Sequence, residues 1–143
     1  MPLIWSHSIE DIDWNELAAL YHSAPLRNKN PSGLKTAFTN SIFKCFVYED
    51  GKLIGAGRAL ADGADCSYIC DVALLPSHQG LGLGKQIVAK LLELSRGHKK
   101  IILYSVPGKE SFYQKLGFKR MSTAMAIFEN QAGALEQGYI NET

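Results

Sequence analysis

Apolar positions recur at helical spacing near the start of the chain. Four of them follow the i, i+3, i+4, i+7 pattern of one helix face, at Trp14, Leu17, Ala18 and Tyr21. Asp13 precedes them as a capping residue, and Glu16 three positions later completes a capping-box pair. A polar connection over residues 25–31 leads to a second predicted helix, residues 32–40. A short apolar stretch at residues 3–7 predicts a first strand.

From residue 43 the pattern changes to extended apolar runs. Such runs at residues 43–49, 52–60 and 66–75 predict three strands. Asp50 and Gly51 lie between the first two runs and form a dipeptide that is typical of a tight hairpin turn. The sequence therefore predicts an antiparallel meander of strands that follows two helices.

A helix and a further strand follow the meander. The apolar stripe of the helix consists of Leu83, Ile87, Leu91 and Leu94. Gly97 is a natural helix stop, and residues 101–104 are a continuous apolar run, typical of a strand that is buried on both faces. A strand, a helix and a strand within about 40 residues form a β-α-β crossover, so we expect the two strands to be parallel neighbours.

The C-terminal part predicts a short helix, a closing strand and a loose tail, at residues 109–116, 118–128 and 131–143. With a length of 143 residues and no internal repeat or linker, the chain is predicted to be one domain, residues 1–143. The predicted fold class is α+β, with a central mixed sheet that is mostly antiparallel and is flanked by helices.

Composition and charge restrict the function classes. The formal net charge of +1 gives no general attraction to nucleic acid or to an anionic membrane, so neither is an expected partner. No apolar run approaches the roughly 20 residues of a membrane span, and the N-terminus lacks the features of a signal peptide. Cys45, Cys66 and Cys70 show no metal-binding spacing, which predicts a reduced cytoplasmic protein without a bound metal.

The main chemical signal lies where the meander meets the crossover, at residues 79–85. Gly80, Gly82 and Gly84 alternate there, between the end of a strand and the start of a helix. Glycine lets the backbone approach a ligand closely, and the first turn of a helix offers free N–H groups at the positive end of its dipole. The turn is therefore a candidate anion site, with phosphate as the usual ligand.

Two common phosphate-binding patterns do not fit this turn. The P-loop needs Ser or Thr after Gly84-Lys85, and Gln86 stands there instead. The dinucleotide fingerprint needs a third glycine at position 85, which is Lys. A nucleotide-binding protein is therefore disfavoured, and a purely structural glycine turn is the alternative with less support.

Two motifs in this half of the chain are more specific. The spacing Gln79-x-x-Gly82-x-Gly84 resembles the Q/R-x-x-G-x-G/A signature of the GNAT superfamily of N-acetyltransferases. Residues 112–118, Phe-Tyr-Gln-Lys-Leu-Gly-Phe, resemble the F-Y-x-x-L-G-F segment of the same family. The order of the motifs and the helix and strand between them also fit, and the resemblance extends over residues 43–128.

The resemblance implies a GNAT-like fold whose β-α-β crossover carries the loop that binds the cosubstrate, acetyl-CoA. It implies that the backbone of Val72, Ala73 and Leu74 pairs with the pantetheine arm, in the manner of an added strand. The turn that would hold the pyrophosphate comprises Gln79, Gly80, Leu81, Gly82, Leu83, Gly84 and Lys85. Gln79 is expected to brace this turn.

Two residues are catalytic candidates. Tyr113 matches the family tyrosine near the leaving sulfur, where its hydroxyl would protonate the departing thiolate, and packing beside Phe112 is its alternative role. Asp71 is a carboxylate in an otherwise apolar strand, on the face opposite Val72 and Leu74. It is a candidate for the base, for an anchor of the amine, or for a purely structural group.

Val106 departs from the family pattern, because family members often carry Asn at this position. Lys109 and Ser111 are candidates to supply the missing contact. The departure keeps open a non-catalytic CoA-binding regulatory module as the alternative to an enzyme. The expected partner of an enzyme is a small-molecule or peptide amine, and the sequence is compatible with a homodimer.

Other polar residues carry weaker signals. Arg27, Lys29 and Arg58 are candidates to meet an anionic substrate or the phosphates of the coenzyme, although solvated surface is the simpler interpretation for the first two. Cys70 lacks an evident His and acid for covalent acyl transfer, and His78 is interpreted as a loop residue.

Overall fold

The computed structural model describes residues 2–24 and 29–143. Its strands are β1 (Leu3–Ser6), β2 (Phe43–Glu49), β3 (Lys52–Ala61), β4 (Cys66–Leu74) and β5 (Lys100–Ile102). Its helices are α1 (Trp14–Ser23), α2 (Pro31–Thr39), α3 (Leu83–Leu94), α4 (Glu110–Gln114) and α5 (Gln131–Glu136). Two compact units divide the chain: one ends at Leu103 and holds β1–β5 and α1–α3, and the other runs from Tyr104 to Thr143.

The strands form a sheet in the order β1-β2-β3-β4-β5. Neighbouring strands are antiparallel except β4 and β5, which run parallel and are joined through α3. Asp50 and Gly51 connect β2 to β3 with φ angles of 51° and 74°, the positive values that a tight hairpin turn needs. The prediction of an α+β fold with a mixed, mostly antiparallel sheet and a β-α-β crossover is therefore confirmed.

Helices α1 and α2 cover one face of the sheet. Leu17 and Tyr21 of α1 and Phe38 of α2 are fully buried in one core cluster with Phe46 of β2 and Ala56 of β3. Of the connection predicted between these helices, residues 25–31, positions 25–28 are not among the described residues. The apolar stripe of α1 thus packs on the sheet as its helical spacing predicts.

At the start of α1, one local prediction is confirmed and another is replaced by a long-range contact. The Asp13 carboxylate accepts hydrogen bonds from the N–H groups of Asn15 and Glu16, so the predicted cap is present. The Glu16 side chain does not complete the predicted capping box. Its Oε2 accepts a hydrogen bond from the N–H group of Leu53 in β3, 2.9 Å away, and so joins the helix to the sheet.

Helix α3 packs closely against the opposite face of the sheet. Ile87 and Leu91 of its apolar stripe are fully buried. A Cβ on Gly57 would lie 3.0–3.3 Å from the side chains of Leu91, Ile87 and Val72, and a Cβ on Gly55 would have contacts as short as 2.8 Å. The two glycines of β3 therefore let the helix approach the sheet, which places the start of α3 close to the end of β4.

The second unit departs from the prediction in two places, and the first is the closing strand. The strand predicted at residues 118–128 does not form, because no residue in this described segment has strand pairing. Met121, Met125 and Ile127 are 54%, 94% and 95% exposed. A strand needs a neighbour that takes up its backbone hydrogen bonds, and apolar content alone does not supply one.

The segment predicted as a loose tail contains a short helix, α5. The Asn130 side chain caps it by accepting a hydrogen bond from the N–H group of Gly133, 2.9 Å away. The ring of Tyr139 stacks on Phe128 and meets Tyr104 edge-on, with ring centroids 6.1 and 5.6 Å apart.

In the described part of the chain, no helix has the length and apolar character that crossing a membrane requires.

Candidate active site

A β-bulge interrupts β4 shortly before its end. In the ladder with β3, two residues of β4, Asp71 and Val72, lie opposite the single residue Gly57. Asp71 has a φ of +57°, in the left-handed region that residues other than glycine rarely adopt. Val72 points towards α3, whereas the Asp71 carboxylate lies on the face covered by α1 and α2. The acidic side chain of the bulge therefore points towards a mostly apolar face of the sheet.

Part of the β4 edge has no strand neighbour. The parallel pairing with β5 involves Cys66, Ser67 and Tyr68 of β4. Beyond Tyr68, no strand among the described residues pairs with this edge. Among the described residues, the backbone groups of residues 72–74 that point away from β3 have no strand partner, and an extended ligand can pair with such an edge as an added strand does.

The glycine turn follows directly after this edge. Gly80 and Gly82 have φ angles of 82° and 80°, and a Cβ on either would meet nothing within 4 Å. Helix α3 starts at Leu83 without a side-chain cap, and its first internal hydrogen bond runs from the N–H group of Gln86 to the carbonyl of Gly82. The N–H groups of residues 83–85 are therefore not used within the helix, and they lie at the positive end of its dipole.

Two side chains join the turn to the sheet. Gln79 Nε2 donates a hydrogen bond to the carbonyl of Leu74 over 3.4 Å, a contact of the bracing kind expected for this residue. His78 Nε2 lies 2.9 Å from Oε1 of Glu49, at the end of β2, and this hydrogen bond lowers the pKa of Glu49. The second contact is not predictable from the sequence, because the two residues are 29 positions apart and no local pattern connects them.

Asp71 lies between two cations. Its Oδ2 accepts a hydrogen bond from Nε of Arg58 at 2.8 Å, and its Oδ1 lies 3.2 Å from Nζ of Lys29. The hydroxyl of Tyr21 donates to the backbone carbonyl of Asp71. Lys29, for which solvated surface was the simpler interpretation, thus pairs with Asp71. Arg27 lies outside the described residues. Both oxygens of the Asp71 carboxylate are engaged by cations.

Two thiols in the sheet, those of Cys45 and Cys70, are protonated near neutral pH. Burial raises the pKa of Cys70 to about 11 and that of Cys45 to about 12. Because the thiolate is the nucleophilic form, neither residue is prepared to carry an acyl group. Within residues 2–24 and 29–143, no group of three or more His, Cys, Asp or Glu side chains is placed to hold a metal ion.

Tyr113 lies on α4 in the second unit. Its ring packs edge-on against Phe112 and Phe118, with centroid distances of 5.0 and 5.9 Å. Burial raises the pKa of its hydroxyl, which therefore stays protonated near neutral pH. That is the state in which a tyrosine donates a proton, and the ring contacts agree equally with a packing role.

The segment before α4 forms a turn around the position of the family Asn. The carbonyl of Val106 accepts a hydrogen bond from the N–H group of Lys109 at 3.0 Å. The N–H group of Gly108 donates to Oε1 of Glu110 at 2.6 Å. Ser111 lies within α4. These contacts stabilise the turn itself. That Lys109 or Ser111 supplies the contact of the family Asn stays a prediction.

Comparison with known proteins agrees with this arrangement. The acetyltransferase (GNAT) family profile matches residues 7–118. An N-acetyltransferase of Prochlorococcus marinus described as ycf52-like is 32% identical over 116 residues, which are 77% of this chain and 64% of that protein. The glucosamine 6-phosphate N-acetyltransferase of Trypanosoma brucei brucei is 33% identical over 95 residues, 60% of this chain and 65% of that protein.

The chain therefore spans slightly less than two thirds of the length of either relative. A solved structure of a GNAT-family acetyltransferase from Streptococcus pneumoniae has the same fold, with a TM-score of 0.77 at 21% identity, over 91% of this chain and 99% of that one. The family profile covers most of the chain, and the sheet, the crossover and the glycine turn agree with it. The chain belongs to the acetyltransferase (GNAT) family.

Proposed function

We propose that this chain is an N-acetyltransferase that moves the acetyl group of acetyl-CoA directly onto a primary amine. The observation that carries the proposal is the open edge of β4 at residues 72–74, which leads into the glycine turn at the start of α3. An extended arm that ends in a pyrophosphate fits these two features in this order. Membership of the acetyltransferase family supports the transfer of an acetyl group.

Each part of the coenzyme has a proposed binding group. The amides of the pantetheine arm would pair with the backbone of residues 72–74, and the pyrophosphate would accept hydrogen bonds from the N–H groups of residues 80–85. Leu83 is buried and anchors the start of α3 beside these N–H groups. Lys85 is exposed at the same helix end and adds a positive charge.

The chemistry would take place beside the bulge. The coenzyme arm runs back along β4 from the turn, so its acyl end would reach residue 71. The amine nitrogen attacks the thioester carbon, and a C–N bond forms as the C–S bond breaks. The nitrogen loses its proton to water, and the sulfur leaves as a thiolate. Tyr113 is the proposed donor that protonates this sulfur, and its phenolate then recovers a proton from solvent.

Asp71 is proposed to hold the bulge rather than to act as the base. Its oxygens are already paired with Arg58 and Lys29, so removal of the charge leaves two cations facing a neutral amide. We expect Asp71→Asn to lower the free energy of unfolding by about 2 kcal/mol, between the values for exposed and fully buried ion pairs. The acidic limb of the pH–rate profile should remain. Chemical denaturation and kinetics across pH measure the two effects.

Asp65→Asn is the matched control for this change. Asp65 pairs with Lys100 at the surface, where both side chains are about half exposed, so we expect a much smaller loss of unfolding free energy than for Asp71→Asn. The assignment of Asp71 as a structural residue is wrong if Asp71→Asn abolishes the acidic limb and leaves stability unchanged. That outcome would identify Asp71 as the base.

The proposed function is tested by measuring thiol release from acetyl-CoA with a library of amines. We expect release to accelerate with an accepted amine, and the acetylated amine to appear in equal amount by mass spectrometry. Binding of acetyl-CoA, measured by calorimetry, without thiol release would identify the alternative, a non-catalytic CoA-binding module. That alternative rests on Val106, which stands where family members often carry Asn. Absence of binding would contradict both functions.

Many amines could in principle accept the acetyl group. The name of the Trypanosoma relative makes glucosamine 6-phosphate the first amine to test. A small molecule or a peptide amine is the expected class, and a homodimer and a cytoplasmic location stay predictions.

A further inference from the structure

Cations are concentrated beside the bulge, on the face of the sheet covered by α1 and α2. Arg58 donates from Nε to Asp71 and from Nη1 to the hydroxyl of Ser41, over 2.8 and 3.1 Å. Lys44 Nζ donates to the backbone carbonyl of the same serine at 2.8 Å. Lys29 lies on the other oxygen of Asp71. Lys29, Lys44 and Arg58 are called the basic cluster below.

The basic cluster brings like charges together. Lys44 and Arg58 are direct partners in the ladder between β2 and β3, a position in which like charges are destabilising. The side chains of Arg58 and Lys29 are only 15% and 27% exposed, so water screens them in part. A second negative charge at this place would relieve the repulsion, and Asp71 alone does not supply it.

The neighbouring titratable groups do not balance the cluster either. Burial raises the pKa of Tyr21 and of Cys70, so both stay neutral near pH 7. Among the residues that the structure describes, Asp71 is the acid joined to these cations by ion pairs. The cluster therefore has a net positive charge in a partly buried place, an arrangement that attracts an anion.

The position of the cluster relates it to the acceptor. In the proposed function, the coenzyme arm runs from the glycine turn back along residues 74–72, so its acyl end reaches the bulge. Asp71 in the bulge contacts both Arg58 and Lys29. An amine that attacks the thioester there would bring its other substituents against the basic cluster.

We propose that the basic cluster selects acceptor amines that carry a second, anionic group, either a phosphate or a carboxylate. The inference rests on the proposed function and names its substrate class. Arginine and lysine bind both kinds of anion through charge-assisted hydrogen bonds, which are stronger than those between neutral groups. Asp71 keeps the cations in place while the anion of the acceptor supplies the missing charge.

Matched acceptor pairs test the proposal. Glucosamine 6-phosphate against glucosamine changes only a phosphate, and tryptophan against tryptamine changes only a carboxylate. We expect kcat/KM to be at least about tenfold higher for the anionic member of one pair, the effect of one hydrogen bond to a charged group. The pair with the larger ratio identifies which anion the cluster binds, and equal values within both pairs would overturn the proposal.

Lys44→Gln removes one cation without changing the partners of Asp71. Lys52→Gln is the matched control, because Lys52 is an exposed lysine at the start of β3. We expect Lys44→Gln to lower the ratio of kcat/KM for the anionic over the uncharged acceptor by about tenfold, whereas Lys52→Gln leaves it unchanged. An unchanged ratio in Lys44→Gln would contradict the role of the cluster.

A binding measurement distinguishes this inference from the proposed function. At constant ionic strength, inorganic phosphate should raise the Tm of the parent more than that of Lys44→Gln, whereas binding at the glycine turn affects both equally. Equal shifts overturn the inference. If no amine is acetylated, the proposed function fails and the phosphate shift still decides on the cluster. If uncharged and anionic amines react equally well, the proposed function stands and the inference fails.

Discussion

Tyr113→Phe is expected to lower kcat by about 10²–10⁴-fold, the usual range for a positioned acid or base. The change removes the hydroxyl and keeps the ring that packs against Phe112 and Phe118. Because burial raises the pKa of Tyr113, the hydroxyl is a proton donor throughout the neutral range. Without it, the coenzyme thiolate must leave unprotonated or take a proton from water. Steady-state kinetics at saturating acetyl-CoA measure the effect.

Tyr139→Phe is the matched control for this substitution. Tyr139 lies in the same unit, and burial raises the pKa of its hydroxyl as well, but the family resemblance gives it no role. We expect a normal kcat for Tyr139→Phe and an almost unchanged Kd for acetyl-CoA in both variants. Full activity of Tyr113→Phe would leave Tyr113 as a packing residue and require a different proton donor.

Gly82→Asp is expected to raise the Kd for acetyl-CoA by at least about 100-fold. Its carboxylate would stand beside the N–H groups of residues 83–85, where the pyrophosphate is proposed to bind. Two like charges about 4 Å apart repel each other by about 4 kcal/mol near a protein surface, which exceeds the energy of a 100-fold change. Isothermal titration calorimetry of the folded variant measures the affinity.

The control must share the backbone strain of this substitution. Gly63 has a φ of 84°, close to the 80° of Gly82, and a Cβ on either glycine meets open space. Gly63→Asp therefore adds the same strain and the same charge in the turn between β3 and β4. We expect it to destabilise the fold and to leave the Kd unchanged. An unchanged affinity in Gly82→Asp would exclude the glycine turn from the binding site.

Most helices and strands of the first unit could be predicted from the sequence, because their local signals agree with their long-range contacts. The stripe that includes Leu17 and Tyr21 is buried as its spacing indicates. Asp50 and Gly51 have the positive φ angles that their turn demands. The glycine turn was visible for the same reason, since Gly80 and Gly82 both adopt left-handed conformations. At both turns the residue type suits the backbone conformation at its own position, and in the stripe it follows the helical period.

The surroundings of Asp71 could not be predicted in this way. Its partners Arg58 and Lys29 come from other parts of the chain, and periodicity contains no information about such contacts. The bulge could not be predicted either, because Asp71 is not a glycine and its residue type does not indicate a positive φ. The strand expected at residues 118–128 fails for the opposite reason: its composition suits a strand, but its formation depends on a partner elsewhere.

The exposed segment before α5 has a chemical consequence for the protein under oxidative conditions. Besides Met1, which is not among the described residues, the methionines of the chain are Met121 and Met125. Both side chains are largely open to solvent, so peroxide reaches their sulfur atoms without any unfolding. Conversion to the sulfoxide would make this apolar segment polar. The buried core of the described residues contains no thioether, so such damage would be confined to the surface and would leave the packing of the sheet intact.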